Sequence, residues 1–179
     1  MATNRALVMD VDGVVAPVHG KTAWGDDVVA GRLFGPVLVS PTLCARLDEL
    51  AAAPDVTGFW LTDWLPEARA RMDPFPGRDW ASIARPPPSP TGRTWTKWPA
   101  IQAWLDDHPE ITTLVWCDDH LNRTRRATVR SRLGERGVRN LLLTPATSVG
   151  LTPQHLVKVA AMLGDSPRST GRVRTGSPS

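Results

Sequence analysis

LVMDVDGVV, residues 7–15, joins a continuous apolar run to two carboxylates and a glycine. The run has the length of a buried strand, and it breaks at Asp10, Asp12 and Gly13. If the strand continued through these residues, alternation would point both carboxylates the same way, and Gly13 would then let the chain turn away. A strand that ends in an ordinary Asp-Gly turn gives the same pattern, so residues elsewhere in the chain must decide between a site and a turn.

Length and composition indicate one folded domain. The chain has 179 residues, of which 41% are hydrophobic and 22% are charged, as in a soluble globular protein. We expect a single domain over residues 1–164 and a disordered basic tail over 165–179. The tail contains three arginines and one aspartate, so it contributes +2 of the net charge of +3. We find no apolar run long enough to span a membrane and no signal peptide pattern, so we expect a cytoplasmic protein without a membrane partner.

Strand and helix patterns alternate along the chain. After the first strand, a short hairpin is predicted within residues 27–40, and Pro-rich residues 73–96 are predicted to form neither a continuous helix nor a central strand. Further strands are predicted at 56–62, 111–117 and 138–143, and helices at 40–53, 97–108, 122–136 and 152–163. This alternation predicts a Rossmann-like α/β fold, in which a mostly parallel sheet is covered by helices on both faces in three α/β/α layers.

Acidic and hydroxyl side chains follow the predicted strands at the point where each strand ends. Thr62 follows the second long strand, and Asp118 and Asp119 follow the third. Lys97 begins a predicted helix. Because the carboxyl ends of parallel strands share one edge of a sheet, we expect these residues to converge on the pocket that holds the first two carboxylates.

Each of these residues also has an ordinary structural interpretation. Thr62 suits the end of a strand, Lys97 suits a solvated first turn, and the acidic pair suits a loop or a helix cap. The order and spacing of the whole set favour a functional site over these separate interpretations. The four histidines and the two cysteines match no metal-binding spacing, so we expect the histidines to be surface or packing residues and the cysteines to be buried, reduced thiols.

The ordered set resembles the haloacid dehalogenase (HAD) superfamily of phosphohydrolases over residues 7–163. Its first motif is present as DVDGVV at residues 10–15, and its second, a hydrophobic strand that ends in Thr or Ser, as GFWLT at 58–62. Its third motif needs only a lysine, and of the three lysines only Lys97 lies in the right interval. Its fourth, a strand that ends in paired acids, is LVWCDD at 114–119.

The resemblance implies a role for each motif residue. Asp10 would attack phosphorus to form an aspartyl-phosphate, and Asp12 would protonate the leaving oxygen and later deprotonate water. Thr62 would donate a hydrogen bond to the transferred phosphoryl group, and Lys97 would offset the charge of the crowded carboxylates and the phosphate.

The resemblance also implies a Mg²⁺ cofactor. Its ligands would be Asp10, the main-chain carbonyl of Asp12, and the acidic pair, with Asp119 as the closer ligand and Asp118 in support. Oxygen ligands are those that Mg²⁺ prefers.

Only a hairpin and a Pro-rich segment occupy the intervals where large caps are inserted in this superfamily, so the chain resembles its capless class. Capless members often act on extended or macromolecular phosphates. The strand that ends in Thr62-Asp63-Trp64 resembles HAD domains associated with RNA repair. We therefore expect a phosphomonoesterase whose phosphorylated substrate is unidentified, with a nucleotide or a nucleic-acid end as candidates, and the sequence predicts no oligomeric state.

Three alternatives remain at this stage. A dehalogenase of the superfamily lacks the second acid, so Asp12 argues against that activity. A phosphoacceptor signalling domain also combines carboxylates, Thr and Lys on a parallel sheet, but there the acidic pair comes first. A binding module that keeps the fold and the metal without turnover is the third alternative, and no residue favours it.

Overall fold

The structure is a computed structural model that describes residues 4–86 and 95–164. The predicted C-terminal tail and part of the Pro-rich segment lie outside these residues. The strands are β1 (Asn4–Met9), β2 (Val28–Arg32), β3 (Pro36–Val39), β4 (Val56–Trp60), β5 (Ala81–Ser82), β6 (Ile111–Cys117) and β7 (Arg139–Leu143). The helices are α1 (Pro41–Ala51), α2 (Pro66–Ala70), α3 (Lys97–Asp107), α4 (Arg123–Glu135) and α5 (Pro153–Gly164).

Strand β1 is the centre of a five-stranded parallel sheet with the order β5-β4-β1-β6-β7. Its residue Leu7 pairs with Gly58 of β4 on one side and with Val115 of β6 on the other. The two-residue strand β5 forms the edge, which agrees with the prediction that the Pro-rich segment holds no central strand.

Alternate residues of β1 contribute to two separate cores. Leu7 and Met9 lie in the core that contains buried side chains of α1 and α5. Ala6 and Val8 lie in the core that contains buried side chains of α3 and α4. The sheet is therefore covered on both faces, and the predicted three-layer Rossmann-like α/β fold is confirmed. Both cysteines are free and buried, as predicted.

The predicted hairpin is present as the antiparallel pair β2–β3, which leads into α1. The side chain of Ser40 accepts a hydrogen bond from the backbone N–H of Leu43 at 3.0 Å, and Pro41 occupies the first turn, so the predicted start of α1 is confirmed. Within residues 4–86 and 95–164, no helix combines the length and the apolar character that crossing a membrane requires.

Strand β1 ends at Met9 and does not continue through the acidic motif. The carbonyl of Val11 accepts hydrogen bonds from the backbone N–H groups of Val14, Val15 and Ala16, which closes a tight turn in which Gly13 has φ of 68°. The strand alternation that would have pointed Asp10 and Asp12 the same way therefore does not apply.

Candidate active site

The acidic and hydroxyl residues of the sequence motifs come shortly after the carboxyl-terminal ends of three adjacent strands, β4, β1 and β6. The backbone N–H of Asp10 donates to the carbonyl of Cys117 at the end of β6, at 3.0 Å. The backbone N–H of Leu61 donates to Met9 at the end of β1, at 2.9 Å, and that of Asp118 donates to Leu143 of β7, at 3.1 Å. Ladder hydrogen bonds thus extend one residue beyond the strands and fix the backbone that carries the site.

Lys97 forms ion pairs with two buried carboxylates. Its side chain is 7% exposed, its Nζ contacts Oδ2 of Asp10, and the same Nζ lies 2.8 Å from Oδ2 of Asp118, a side chain that is fully buried. A charged group in such a place is stable only when it is paired. The lysine that was predicted from its interval alone therefore contacts the acids that come from two different strands.

The first turn of α3 positions this lysine. Trp95, two residues before the helix, stacks on Trp116 of β6 with ring centroids 5.5 Å apart and planes 5° apart. The Arg125 guanidinium lies over the same ring, 4.5 Å from the Trp95 centroid. These contacts anchor the start of α3 on the sheet, so Lys97 enters the site from a rigid element.

The pKa of Asp10 is raised above its usual range. Burial is the main cause, and the neighbouring negative charge of Asp118 adds to it, whereas Lys97 and a 2.7 Å hydrogen bond from the N–H of Val11 act in the opposite direction. One lysine does not compensate for two buried carboxylates. The electrostatics of the site therefore favour a further cation.

Asp119 and His120 extend the acidic cluster toward solvent. Oδ1 of Asp119 lies 2.7 Å from Nδ1 of His120, and Oδ2 accepts a hydrogen bond from the Thr147 hydroxyl at 2.7 Å. The backbone N–H of His120 donates to Oδ1 of Asp118 at 2.8 Å. The histidine side chain is 66% exposed, so it is the surface residue that we expected, and it also lies at the edge of the site.

The side chains in this cluster fit Mg²⁺. Potential ligand atoms of Asp10, Asp118, Asp119 and His120 lie within 4.8 Å of one another. Oδ2 of Asp118 and Oδ1 of Asp119 are buried. Nζ of Lys97 lies 2.8 Å from the first and Nδ1 of His120 lies 2.7 Å from the second, but within the described residues neither contact has hydrogen-bond geometry. Buried carboxylate oxygens without hydrogen bonds are suitable ligands for a hard cation.

Gly13 allows the motif turn to lie against Asp119. A Cβ atom at this position would be 2.4 Å from Oδ2 of Asp119, and the φ of 68° is itself unfavourable for other residues. The turn and the acidic pair are therefore in direct contact only because this residue is glycine.

The loop over residues 144–151 packs on the same turn. The backbone N–H of Val18 donates to the carbonyl of Thr147 at 2.9 Å, and that of Leu151 donates to Val14 at 2.8 Å. Together with the Thr147 hydroxyl, these bonds fasten the chain after β7 to the chain after β1.

Asp12 and Thr62 lie outside the acidic cluster and are joined by Trp64. Oδ2 of the exposed Asp12 accepts a hydrogen bond from the indole Nε1 of Trp64 at 2.9 Å. The hydroxyl oxygen of Thr62 accepts from the backbone N–H of Trp64 at 3.3 Å, which leaves the hydroxyl hydrogen available to donate. The Asp12 carboxylate is thus held on the solvent side of the buried acids.

Sequence reasoning missed three contributors to this site. It did not predict the hydrogen bond from Trp64 to Asp12. It assigned no role to Thr147. It did not place His120 in the cluster, although the position of this residue directly after the acidic pair is a signal that could have done so.

Comparisons with known proteins agree with this geometry. Residues 6–156 match the family model described as the HAD domain in Swiss Army Knife RNA repair proteins. The chain belongs to this family. Membership confirms the predicted HAD superfamily and implies chemistry of the phosphohydrolase type.

A solved structure supports the same fold. The chain is similar to the HAD domain of the effector protein Lem4 from Legionella pneumophila, with a TM-score of 0.55 and 12% sequence identity, over 90% of this chain and 96% of that chain. At this identity the similarity shows the HAD fold alone. No curated protein matches the sequence. In the described residues of this HAD domain, the interval after β1 holds only a loop and the β2–β3 hairpin, in place of a large cap.

Proposed function

We propose that this HAD domain is a Mg²⁺-dependent phosphomonoesterase that acts through an aspartyl-phosphate on Asp10. The observation that carries the proposal is the buried group of Asp10, Lys97 and Asp118, with Asp12 held outside it. A two-step phosphoryl transfer requires a nucleophile that is held by neighbouring charged side chains, which is Asp10 here. It also requires an acid near solvent that can protonate the leaving group, which is Asp12.

In the first step, an Asp10 carboxylate oxygen attacks phosphorus while the ester P–O bond breaks. The leaving oxygen takes a proton from Asp12, so an alcohol departs and Asp12 becomes a carboxylate. In the second step, Asp12 takes a proton from a water whose oxygen attacks phosphorus, and the bond between phosphorus and Asp10 breaks. Inorganic phosphate leaves, and both aspartates return to their starting states.

The remaining residues of the site offset negative charge. Lys97 compensates the carboxylates that flank the phosphoryl group, and Thr62 donates its hydroxyl hydrogen to a phosphoryl oxygen. Asp10, the main-chain carbonyl of Asp12, Asp118 and Asp119 would hold Mg²⁺, which when bound supplies positive charge to the phosphoryl oxygens. Asp119 is our choice for the closer ligand of the acidic pair, and Asp118 for the supporting one.

A nucleic-acid end is a second candidate substrate. The description of the family, which names RNA repair proteins, favours it. Helix α4, which begins four residues after Asp119, carries five arginines and a single glutamate, a charge excess suited to a polyanion. The alternative of another class is a module that binds metal or phosphate without turnover.

The test is hydrolysis of an aryl phosphate with and without Mg²⁺, by the wild type and by Asp10→Asn. We expect turnover that depends on Mg²⁺ in the wild type and is lost in the variant. The matched control is Asp107→Asn, which neutralises an exposed carboxylate at the end of α3 and retains activity. If the wild type binds Mg²⁺ but hydrolyses neither this ester nor a panel of nucleotides, sugar phosphates and phosphorylated oligonucleotides, the binding module is the correct function.

Phosphoenzyme formation tests the mechanism directly. With an aryl phosphate, whose leaving group departs without a proton, Asp12→Asn still permits the first step and blocks the second. We expect the protein to gain the mass of one phosphoryl group, and Asp10→Asn/Asp12→Asn to gain none. Absence of the phosphorylated form in Asp12→Asn would contradict the proposed roles.

A further inference from the structure

A wide apolar cleft opens beside Asp12, on the solvent side of the buried acids. Its volume is about 880 Å³, within the range of sites for small organic ligands. Three segments form its walls: the loop after β1 (residues 16–20), the hairpin turn with the start of β3 (33–38), and residues 63–65 after β4 together with Ala68 of α2.

The walls of the cleft expose large apolar side chains to solvent. Phe34 at the hairpin tip is fully exposed, Leu33 is 44% exposed, and Leu65 after β4 is 68% exposed. An exposed apolar surface of this kind, concentrated on the walls of one cleft, is typical of a binding site.

Aromatic rings flank the cleft and one of them is fixed. The Trp64 ring is held by its bond to Asp12 and by stacking on Phe75, with planes 9° apart and centroids 6.1 Å apart. Phe34, which is fully exposed, lines another wall of the cleft. Flat faces of this kind accept a planar ring, since stacking gains contact area without a fixed hydrogen-bonding pattern.

The charges in the cleft argue against a second phosphate group. Among the described residues that line it, the titratable side chains are Asp12, His19 and Asp63, and none is lysine or arginine. A further phosphate would meet carboxylates there. Asp12 already accepts a hydrogen bond from Trp64, and Asp63 forms an ion pair with Arg85. Ring N–H and amino groups can donate to the remaining carboxylate oxygens, whereas a plain hydrocarbon chain would desolvate them without compensation.

Asp12 fixes which part of a substrate lies in the cleft. An acid that protonates the leaving oxygen must be within hydrogen-bond distance of it, so the group attached to that oxygen extends on the side of Asp12. The cleft is on that side.

We propose that the cleft receives the planar base of a phosphorylated nucleoside whose phosphate is transferred to Asp10. This inference rests on the proposed function and specifies its substrate class. The nucleoside has two sources, a free mononucleotide or the terminal nucleotide of an oligonucleotide, and both present the same base to Phe34 and Trp64.

The test compares the kcat/KM of three substrates: a nucleoside monophosphate, an oligonucleotide with a terminal phosphate, and glycerol phosphate, which has no ring. The variants are Phe34→Ala and Leu65→Ala, whose exposed side chains contribute little to folding. Val157→Ala is the matched control, because Val157 is 70% exposed on α5 and does not line the cleft.

We expect each cleft variant to lower the ratio of nucleotide to glycerol phosphate kcat/KM by about tenfold, as the loss of one stacking or packing contact predicts. The control leaves this ratio unchanged. A higher kcat/KM for the oligonucleotide identifies the chain end as the source, and a higher value for the mononucleotide identifies the free nucleotide. An unchanged ratio in both cleft variants overturns the inference.

A binding measurement separates failure of this inference from failure of the proposed function. By calorimetry, Asp10→Asn should bind a nucleoside monophosphate in the presence of Mg²⁺, and Asp10→Asn/Phe34→Ala should bind it about tenfold more weakly. If the wild type hydrolyses no phosphomonoester but this difference is found, the enzymatic function fails and the cleft assignment stands. If hydrolysis occurs without any preference for a base, the function stands and the cleft assignment is wrong.

Discussion

The indole Nε1 of Trp64 donates a hydrogen bond of 2.9 Å to Oδ2 of Asp12, although the two residues are 52 positions apart in the chain. The bond joins the residue after one strand end to the turn after another. It fixes the carboxylate on the solvent side of the buried acids, where the proposed mechanism needs an acid for the leaving oxygen.

Trp64→Phe keeps a ring at this position and removes the bond, so the mutation tests Trp64 as a positioning residue. We expect kcat for an alkyl phosphate to fall about tenfold. This is smaller than the whole rate enhancement from general acid catalysis, because the Asp12 carboxyl group is still present but is less well positioned. The first step with an aryl phosphate needs no proton, so its phosphorylation rate, followed by rapid quench, should change much less.

Trp24→Phe is the matched control, because the indole of Trp24 donates a 2.8 Å hydrogen bond to the carbonyl of Leu151, outside the acidic cluster. This variant should leave the ratio of alkyl to aryl rates unchanged. An equal loss with both esters in Trp64→Phe would indicate a packing role only.

Lys97→Met leaves the buried carboxylates of Asp10 and Asp118 without their cation. Removal of one partner of a buried ion pair costs about 3 kcal/mol or more, so we expect a lower free energy of unfolding in urea without metal. Hydrolysis should fall by about a hundredfold or more, because the transferred phosphoryl group loses a compensating charge.

Mg²⁺ should raise the Tm of Lys97→Met, since it restores positive charge between the two acids. Lys158→Met, which removes an exposed lysine on α5, should behave as the wild type in both assays. Wild-type stability and activity in Lys97→Met would contradict the role of this lysine.

Gly13→Ala introduces a Cβ atom where the structure has space for none. The atom would lie 2.4 Å from Oδ2 of Asp119, so the turn or the acid must shift. We expect a loss of Mg²⁺ affinity, measured by calorimetry, together with a stability cost of about 1–2 kcal/mol for the positive φ.

Gly25→Ala separates these two effects. Gly25 has φ of 79° and no heavy atom within 4 Å of a Cβ at this position, so its replacement carries only the backbone cost. Equal Mg²⁺ affinities in the two variants would show that the approach of the turn to Asp119 has no role in the metal site.

His155 makes stability depend on pH at the start of α5. The ring nitrogen Nδ1 of His155 accepts a hydrogen bond from the backbone N–H of Thr152 at 3.2 Å. The backbone N–H of His155 donates to the Thr152 hydroxyl at 3.3 Å. Burial, and then the charge of Lys158, lower the pKa of His155 below 6.5. The unfolded chain therefore binds this proton more readily than the folded chain, so the contribution to stability is present above pH 6.5 and is lost as pH falls toward the lowered value.

His155→Gln keeps an acceptor at this position and does not titrate. We expect the difference in the free energy of unfolding between wild type and variant to change with pH below 6.5 and to be constant above it, as measured by urea denaturation. A difference that is independent of pH would contradict the assignment.

The sequence predicted the residues that follow strand ends better than the contacts between loops. Asp10, Asp118 and Asp119 were found because an apolar run that stops at an acid is a local signal. The bond between Trp64 and Asp12, and the exposure of Phe34 beside them, depend on how three loops pack against one another. No local pattern carries that information, so the substrate side of the site became visible only in the structure.

The orientation of Asp12 illustrates the same limit. A strand pattern cannot predict that the chain turns at Val11, where a single carbonyl accepts three backbone hydrogen bonds. Lys97 stood out only by its place at a helix start and in the interval where the resemblance requires a lysine. Its two ion pairs arise from the stacking of Trp95 that anchors α3, which is a tertiary contact.

The fastening of residues 144–151 onto the turn after β1 has a consequence during synthesis. All the acids of the site have been translated by residue 119, but the hydroxyl that holds Asp119 and the backbone groups that bind the turn belong to residues 147 and 151. While this loop is still inside the ribosomal tunnel, the acids of the site have already been synthesised, but they are not yet held in their final positions. The domain therefore becomes competent only after residue 151 has left the tunnel, when almost the whole fold has emerged.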